Sequence, residues 1–329
     1  MSAHSQAMKT RLTEAFDLTH PIISAPMAFA AGGKMAAAVS HAGGLGLIGG
    51  GYGNAEWLAQ EFGAAGNAAV GCGFITWKMA ENPDVLDLVL DRKPAALVLS
   101  FGDPAPFAPR IAEAGVPLIC QVQTLRDAQA AAECGAQVIV AQGSEAGGHG
   151  ERRATFTLVP EVADWLARHA PDVLLLAAGG IADGRGLAAA LMLGADGVLV
   201  GSRLWASAEA NVSAAMTDAA IAATGDTTIR SKVMDTARGL TWPDRYTARV
   251  LKNPVTERWH DDLDGLRANL AAQSDWAEGW VAGDPARANT FVGEATGLIH
   301  DRPPVAQIIQ GMVQEAEALL TRAPGWAGA

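Results

Sequence analysis

The sequence lacks several features that would place it in a specialised class of protein. It has only three cysteines, none of them in a Cys-x-x-Cys pair, and the odd count argues against a disulfide framework. Such cysteines are typical of a reducing compartment, so we expect a cytoplasmic protein. The first sixteen residues contain no apolar core, so no secretion signal is expected. A long uncharged run, residues 35–54, is interrupted by glycine and is poor transmembrane material, so no membrane partner is expected.

Positive charge is also scarce. Lys and Arg total 24 against 35 Asp and Glu, which gives a formal net charge of −11. An acidic chain without a basic run repels phosphate backbones, so nucleic acid is not an expected partner. Half of the residues are hydrophobic and only 18% are charged, so we expect a large core rather than disorder. A length of 329 residues accommodates one large α/β domain or a domain with a lobe.

Eight short apolar runs recur in the first part of the chain, each closed by glycine, proline or a polar turn. They are residues 21–26, 45–50, 69–75, 96–101, 117–122, 137–142, 173–180 and 197–202. Alanine-rich helical stretches lie between them, for example residues 55–65, 84–90, 125–134 and 185–193. Strands that are apolar on both faces and alternate with helices indicate a parallel sheet covered on both sides. Eight such units predict a closed (β/α)8 barrel of the TIM type.

This alternation stops after Trp205. Residues 206–290 are rich in tryptophan and charge and show no recurring strand, so we predict an inserted helical lobe over the barrel mouth. Residues 305–320 place apolar side chains at spacings of three and four, which is typical of a helix that packs one face. The predicted division is a barrel over 1–205, the lobe over 206–290, and a C-terminal helix that returns to the barrel over 291–329.

Two glycine turns follow the predicted seventh and eighth strands. These strands end at Gly179-Gly180 and at Gly201-Ser202, and loops at these places commonly bind phosphate in TIM barrels. Backbone N–H groups there and the Ser202 hydroxyl are candidate phosphate ligands, with Arg203 as a candidate source of charge. Either turn alone is explained as well by a tight bend, but both turns on the two expected strands favour a phosphate site.

One histidine, His149, lies between glycines in the segment that follows the sixth predicted strand. We expect it on a flexible turn at the catalytic face, where imidazole is the natural proton-transfer group near neutral pH. Glu151 is the neighbouring carboxylate that could orient it. The other histidines, such as His41 and His169, lie in or beside helices and are interpreted as structural. No Cys-x-x-Cys pair accompanies His149 and Glu151, so no metal is predicted.

Five segments together resemble the nitronate monooxygenase, or 2-nitropropane dioxygenase-like, family over nearly the whole chain. They are PIISAPM at 21–27, GCGFITW at 71–77, AQGSEAGGHG at 141–150, the run at 175–203, and NPVTERW at 253–259. The resemblance implies an FMN-dependent barrel closed by a helical lobe. It also implies oxidation of a small-molecule substrate, an alkyl nitronate, by O₂ to a carbonyl compound and nitrite. The sequence leaves open whether the chain forms a homodimer.

The resemblance implies roles for particular residues as well. The residues implied to contact FMN are Ala25, Pro26, Met27, Gly73, Gln121, Gln142, Gly147, Gly179, Gly180, Gly201 and Ser202. Gln121 stands where some members carry a lysine near the flavin ring, and Gly73 stands where many members have an asparagine. His149 matches the catalytic histidine, which contacts the nitro group and in some members deprotonates a neutral nitroalkane. Trp77 and Met27 are candidates for shaping the pocket.

Three other functions stay open at this point. An enoyl-thioester reductase of the FMN barrel type shares the EAGGH segment and the glycine turn, and it would need NADH. An NADH:quinone reductase is a further enzyme of the same fold. A non-catalytic FMN-binding protein belongs to a different class, and His149 argues against it because a pure binder needs no proton-transfer group beside the flavin.

Overall fold

The structure is a computed structural model that describes residues 8–326, and its centre is a barrel of parallel strands. In chain order the strands are β1 (Ile22–Ser24), β2 (Gly46–Gly51), β3 (Val70–Ile75), β4 (Leu97–Ser100), β5 (Leu118–Val122), β6 (Val138–Gln142), β7 (Gly148–Gly150), β8 (Leu174–Ala178), β9 (Gly197–Val200), β10 (Thr228–Ser231) and β11 (Thr247–Leu251). Eight of them pair in the order β1-β9-β8-β6-β5-β4-β3-β2, and a bridge between Ile23 and Leu45 joins the two ends. The predicted (β/α)8 barrel is therefore confirmed.

Helices alternate with the barrel strands and then continue into the lobe. They are α1 (Arg11–Phe16), α2 (Gly33–His41), α3 (Ala55–Ala65), α4 (Thr76–Met79), α5 (Asp84–Leu90), α6 (Ala108–Glu113), α7 (Leu125–Glu133), α8 (Thr155–His169), α9 (Gly184–Met192), α10 (Ser202–Trp205), α11 (Ala214–Ile221), α12 (Val233–Ala237), α13 (Pro254–Trp259), α14 (Leu263–Ala268), α15 (Leu270–Ala282) and α16 (Val305–Trp326). Short 3₁₀ turns cover Gly225–Thr227 and Glu294–Leu298. None of these helices, within the described residues, is both long and apolar enough to cross a bilayer.

Two apolar layers hold the barrel together, because successive side chains of a strand face opposite sides. In β6, Val138 and Val140 belong to the cluster inside the barrel, whereas Ile139 and Ala141 pack outward against the helices. Leu12 of α1 joins the interior cluster, so α1 covers the N-terminal end of the barrel. The C-terminal ends of the strands are left for a site.

The C-terminal helix α16 packs against α9 and α2 on the outside of the barrel. Its buried side chains include Val305, Ile308, Ile309, Met312 and Val313. These residues have the predicted spacing of three and four, and they complete the helical layer around the strands.

The lobe is largely helical, and it also contains two strands that the sequence analysis did not predict. Strands β10 and β11 form an antiparallel sheet with β7, in which Ala248 pairs with His149. Both lobe strands are short, and each carries an arginine, Arg230 or Arg249, within its apolar pattern. Runs of this kind do not stand out by periodicity in a single sequence. The sheet joins the lobe directly to the segment that carries His149.

Candidate active site

A cavity of about 450 Å³ lies at the C-terminal end of the barrel, between the strands and the lobe. Its wall contains His149 and every residue that the family resemblance implied to contact FMN. These are Ala25, Pro26, Met27, Gly73, Gln121, Gln142, Gly147, His149, Gly179, Gly180, Gly201 and Ser202. Segments spread over 178 residues of the chain, from Ala25 to Ser202, are thus brought to one place by the barrel topology. Their individual roles stay predictions.

Glycine is required at the turn after β8. Gly179 and Gly180 have φ angles of 100° and 77°, in the left-handed region that favours glycine. A Cβ on Gly179 would lie 2.9 Å from both the carbonyl oxygen of Gly143 and Oγ1 of Thr155. The backbone therefore forms the cavity wall here without side chains in front of it.

The second turn leads into α10, which begins at Ser202. The first N–H groups of a helix have no partner within that helix, so they are available to an anion. The Ser202 hydroxyl accepts a hydrogen bond from the N–H of Gly293 at 2.9 Å. The suggestion that Arg203 adds charge to the site is wrong, because its buried guanidinium donates to Asp301 and does not line the cavity.

Gly73 packs directly against Pro26. A Cβ on Gly73 would lie 2.5 Å from Cβ and Cγ of Pro26 and 3.1 Å from Cβ of Val98. An asparagine therefore does not fit at this position while Pro26 stays where it is. The departure from the family pattern is accounted for by packing, since the Pro26 ring occupies the space of the missing side chain.

Two glutamines at the ends of β5 and β6 differ in how their amides are satisfied. Gln142 donates to the carbonyl oxygen of His149 at 3.2 Å and accepts from Gln123 at 2.8 Å. Gln121 is 8% exposed and lines the cavity, yet no described residue hydrogen-bonds its side chain. Because Gln121 lines the cavity, its amide is available for hydrogen bonds to a bound ligand.

The segment between β6 and α8 is held firmly, contrary to the flexible turn that was expected around His149. The Glu145 carboxylate accepts from the N–H and the hydroxyl of Thr155 at 2.9–3.0 Å. Arg230 and Arg249 both donate to the carbonyl oxygen of Ser144. Burial, together with the charge of Arg249, lowers the pKa of Arg230 to about 10. The lobe thus fixes this segment from outside the barrel.

His149 is paired with a carboxylate of the lobe, Asp235 on α12. Nε2 of His149 lies 2.9 Å and 3.1 Å from the two carboxylate oxygens, and the two side chains are only 9% and 4% exposed. The expectation that Glu151 orients His149 is wrong, because the Glu151 carboxylate instead accepts from Arg245. Asp235 was missed by the sequence analysis.

The His149 ring is also packed between aromatic side chains. The indole of Trp242 stacks on it with a centroid distance of 3.4 Å and an interplanar angle of 5°. Phe101 packs edge-on against both rings. Trp77 does not line the cavity, and it supports Trp242 from behind with centroids 5.4 Å apart. Stacking on Trp242 and the hydrogen bond to Asp235 together hold the imidazole ring in one orientation.

The protonation state of His149 follows from these contacts. Burial lowers its pKa below the ordinary value, and Asp235 opposes this effect by favouring the charged form. A carboxylate only accepts hydrogen bonds, so Nε2 carries the proton of the neutral ring and Nδ1 holds the lone pair. Neutral imidazole with an oriented lone pair is a general base, and Asp235 would stabilise the imidazolium that forms.

Arg238 is a second cavity residue that the sequence analysis missed. Its guanidinium donates to Asp235 at 2.8 Å and lies 5.6–6.0 Å from the rings of Tyr52, Trp276 and Phe291. Asp235 and Arg238 are separated by three residues on and just after α12, within the run VMDTAR. Opposite charges inside a short apolar run are the signal that could have drawn attention to them.

The chain resembles known proteins over nearly its whole length. A family model described as nitronate monooxygenase matches residues 9–71 and 72–315. A nitronate monooxygenase of Neurospora crassa is 34% identical over an aligned length of 378 residues, gaps included. The alignment covers 98% of this chain and 96% of that protein. The solved structure of FabK from Thermotoga maritima has a TM-score of 0.85 at 29% identity, covering 97% of this chain and 99% of that one. A nitroalkane oxidase from Streptomyces ansochromogenes, with a TM-score of 0.78 at 22% identity over 94% of this chain and 99% of that one, has the same fold.

Proposed function

The chain belongs to the nitronate monooxygenase family, an oxidoreductase family, and on that premise we propose that it oxidises alkyl nitronates with O₂ to a carbonyl compound and nitrite. The observation that carries the proposal is His149, which lines a cavity at the catalytic end of the barrel and is paired through Nε2 with the buried Asp235. A base at this place also extends the substrate range to neutral nitroalkanes, because removal of their α-proton gives the nitronate.

The proposed cofactor is FMN, and the residues of the cavity fit it. The side-chain-free turns at Gly179-Gly180 and Gly201-Ser202 would hold the phosphate on backbone N–H groups. The unpartnered Gln121 amide and the backbone of residues 25–27 would contact the ring system. When bound, FMN supplies the electron transfer from substrate and the reaction with O₂.

The chain's own residues handle the proton and exclude water. His149 takes the α-proton of a neutral nitroalkane on Nδ1, and Asp235 stabilises the resulting charge through Nε2. Trp242 and Phe101 cover the imidazole, so the base works in an environment with little water. A substrate that arrives already as the nitronate needs no proton removal, so its turnover depends less on His149.

The first test is oxygen uptake by the FMN-loaded protein after addition of an alkyl nitronate, without NADH. Rapid uptake with nitrite release is the expected result. The His149→Gln variant is expected to keep about one FMN per chain and to lose most turnover of the neutral nitroalkane. His41→Gln, which changes an exposed histidine at the end of α2, is the matched control. Protein that takes up no FMN, or that shows no uptake with nitronate, would refute the proposal.

An NADH-dependent reductase is the second candidate, of the enoyl-thioester or quinone type. It is favoured by the likeness to FabK. Anaerobic addition of NADH separates the two candidates. Bleaching of the flavin by NADH, together with no response to nitronate, would favour the reductase.

A further inference from the structure

We propose that Arg238 forms an anion subsite in the cavity and selects the nitronate form of the substrate over the neutral nitroalkane. The evidence for the subsite is the position of Arg238 in the cavity wall. The identity of the anion rests on the proposed function. The subsite would bind the planar, two-oxygen end group at which the reaction takes place.

Arg238 is the one guanidinium in the cavity wall. Among the described residues that line the cavity, Glu145 and Arg238 are the charged side chains besides the titratable His149, and no lysine is present. The Glu145 carboxylate is already occupied by the N–H and hydroxyl of Thr155. An anion that enters this cavity therefore meets one cationic side chain in the described part of its wall, Arg238, which is paired with Asp235 behind it.

The Arg238 guanidinium has N–H groups that are not used in hydrogen bonds to the described residues. Its hydrogen bonds use Nε, which donates to the carbonyl oxygen of Met234 at 3.1 Å, and Nη2, which donates to Asp235 at 2.8 Å. No carbonyl or carboxylate of the described residues accepts from Nη1. A guanidinium offers five N–H groups, and Arg238 also interacts with the Tyr52 hydroxyl, so two N–H groups remain for a ligand. The rings of Tyr52, Trp276 and Phe291 surround this group, and their apolar surface strengthens a charge-assisted hydrogen bond.

A shared carboxylate places the subsite beside the base. Oδ1 of Asp235 accepts from Arg238, and Oδ2 of the same group lies 2.9 Å from Nε2 of His149. A nitro or nitronate group held on Arg238 would thus lie beside the His149–Asp235 pair. A planar anion with two oxygens matches the guanidinium fork, whereas a neutral nitro group lacks the net charge. Proton removal by His149 would then produce the anion that Arg238 holds.

The decisive comparison uses one compound in two forms. A nitroalkane and its pre-formed nitronate interconvert slowly, so initial rates can be measured for each at the same pH. Arg238→Met is expected to lower kcat/KM for the nitronate by about 10- to 100-fold, mainly through KM, and to affect the neutral form less. Arg238→Lys should restore part of the loss. Arg258→Met removes an exposed arginine of the same lobe and is the matched control.

Binding of an inert anion gives a readout that does not need turnover. Nitrate is planar and anionic, and its binding can be followed by tryptophan fluorescence, because Trp276 lies 6.0 Å from the guanidinium. Saturable binding is expected for the natural chain and for Arg258→Met, and its loss is expected for Arg238→Met. If the natural chain binds nitrate in this way but does not oxidise nitronates, the proposed function fails and the subsite stands.

Two results would overturn the subsite. One is unchanged nitrate binding in Arg238→Met. The other is an equal loss of activity on the nitronate and on the neutral form, which would mean that Arg238 only supports Asp235. FMN content and thermal unfolding of each variant are measured first. If Arg238→Met does not fold, Arg238→Lys carries both comparisons, because it keeps the charge and loses the planar fork.

Discussion

Replacement of Asp235 by asparagine tests whether His149 acts as a base because a buried carboxylate holds it. Asp235 makes two close contacts with Nε2 of His149 and one with Arg238, and its side chain is 4% exposed. Asparagine has the same shape but no charge, and its amide can also donate a hydrogen bond. The change therefore removes the stabilisation of the imidazolium and the preference for a proton on Nε2.

The expected loss of rate follows from the strength of this contact. A hydrogen bond to a charged group contributes about 1.5–3 kcal/mol. About 1.36 kcal/mol corresponds to a factor of ten in rate, so kcat for a neutral nitroalkane should fall by about 10- to 150-fold. Turnover of the pre-formed nitronate should fall less, because that substrate has no proton to give to His149.

The pH profile gives a second readout that a purely structural role would not change. Only neutral His149 accepts a proton, so activity on the neutral nitroalkane should decline as the pH falls through the pKa of His149. Burial lowers that pKa, and Asp235 raises it by favouring the charged form. Loss of the Asp235 charge should therefore lower the pKa further and move the acid limb to lower pH.

The assay measures oxygen uptake with the neutral form and the nitronate across a range of pH values. Asp261→Asn changes an exposed carboxylate of the lobe and is the control for the loss of one negative charge. FMN content and thermal unfolding show whether the variant is intact. Equal losses on both forms of the substrate, with an unmoved acid limb, would refute the role of Asp235.

Three other predictions follow from packing and burial. Gly73→Asn should clash with Pro26 and lower the free energy of unfolding by about 1–3 kcal/mol, with reduced FMN content; a variant that melts like the natural chain would contradict the packing. Trp242→Leu should lower turnover of the neutral nitroalkane by about 2- to 13-fold, because stacking of this aromatic pair contributes about 0.5–1.5 kcal/mol, while Trp242→Phe should lower it less in the same oxygen-uptake assay. Burial lowers the pKa of both His20 and His149, so the contribution of these two groups to the unfolding free energy should be constant above about pH 6.5 and decline below it; urea titrations of His20→Gln should show a shallower decline.

The barrel and its glycine turns could be predicted from the sequence because their signals are local. Each strand is a continuous apolar run, and the turn after β8 needs glycine at Gly179 and Gly180, where φ is positive. The order of the strands in a closed barrel then places these turns at one end without further information. For this reason His149 and the residues predicted to contact FMN line one cavity.

The partners of His149 could not be predicted, because they depend on tertiary contacts. Asp235 is 86 residues away in the chain, whereas Glu151 is only two residues away, so local sequence favours Glu151 as the partner. Arg245 of the lobe draws the Glu151 carboxylate away from His149. The strand pairing of Ala248 with His149 brings the lobe into register, and no local pattern in the sequence indicates that register.

The lobe therefore contributes chemistry to the site as well as covering it. The barrel ends carry the residues proposed to bind FMN, while the lobe provides the carboxylate on the base, the guanidinium of the proposed subsite and the indole on the imidazole. Motifs of the barrel consequently indicate the cofactor better than the substrate. An exchange of lobe residues should alter the preference between the nitronate and the neutral nitroalkane while FMN content stays the same. Exchange of the glycines at the turns should lower the FMN content and leave the preference between the nitronate and the neutral nitroalkane unchanged. Those positions form the cavity wall and do not touch His149.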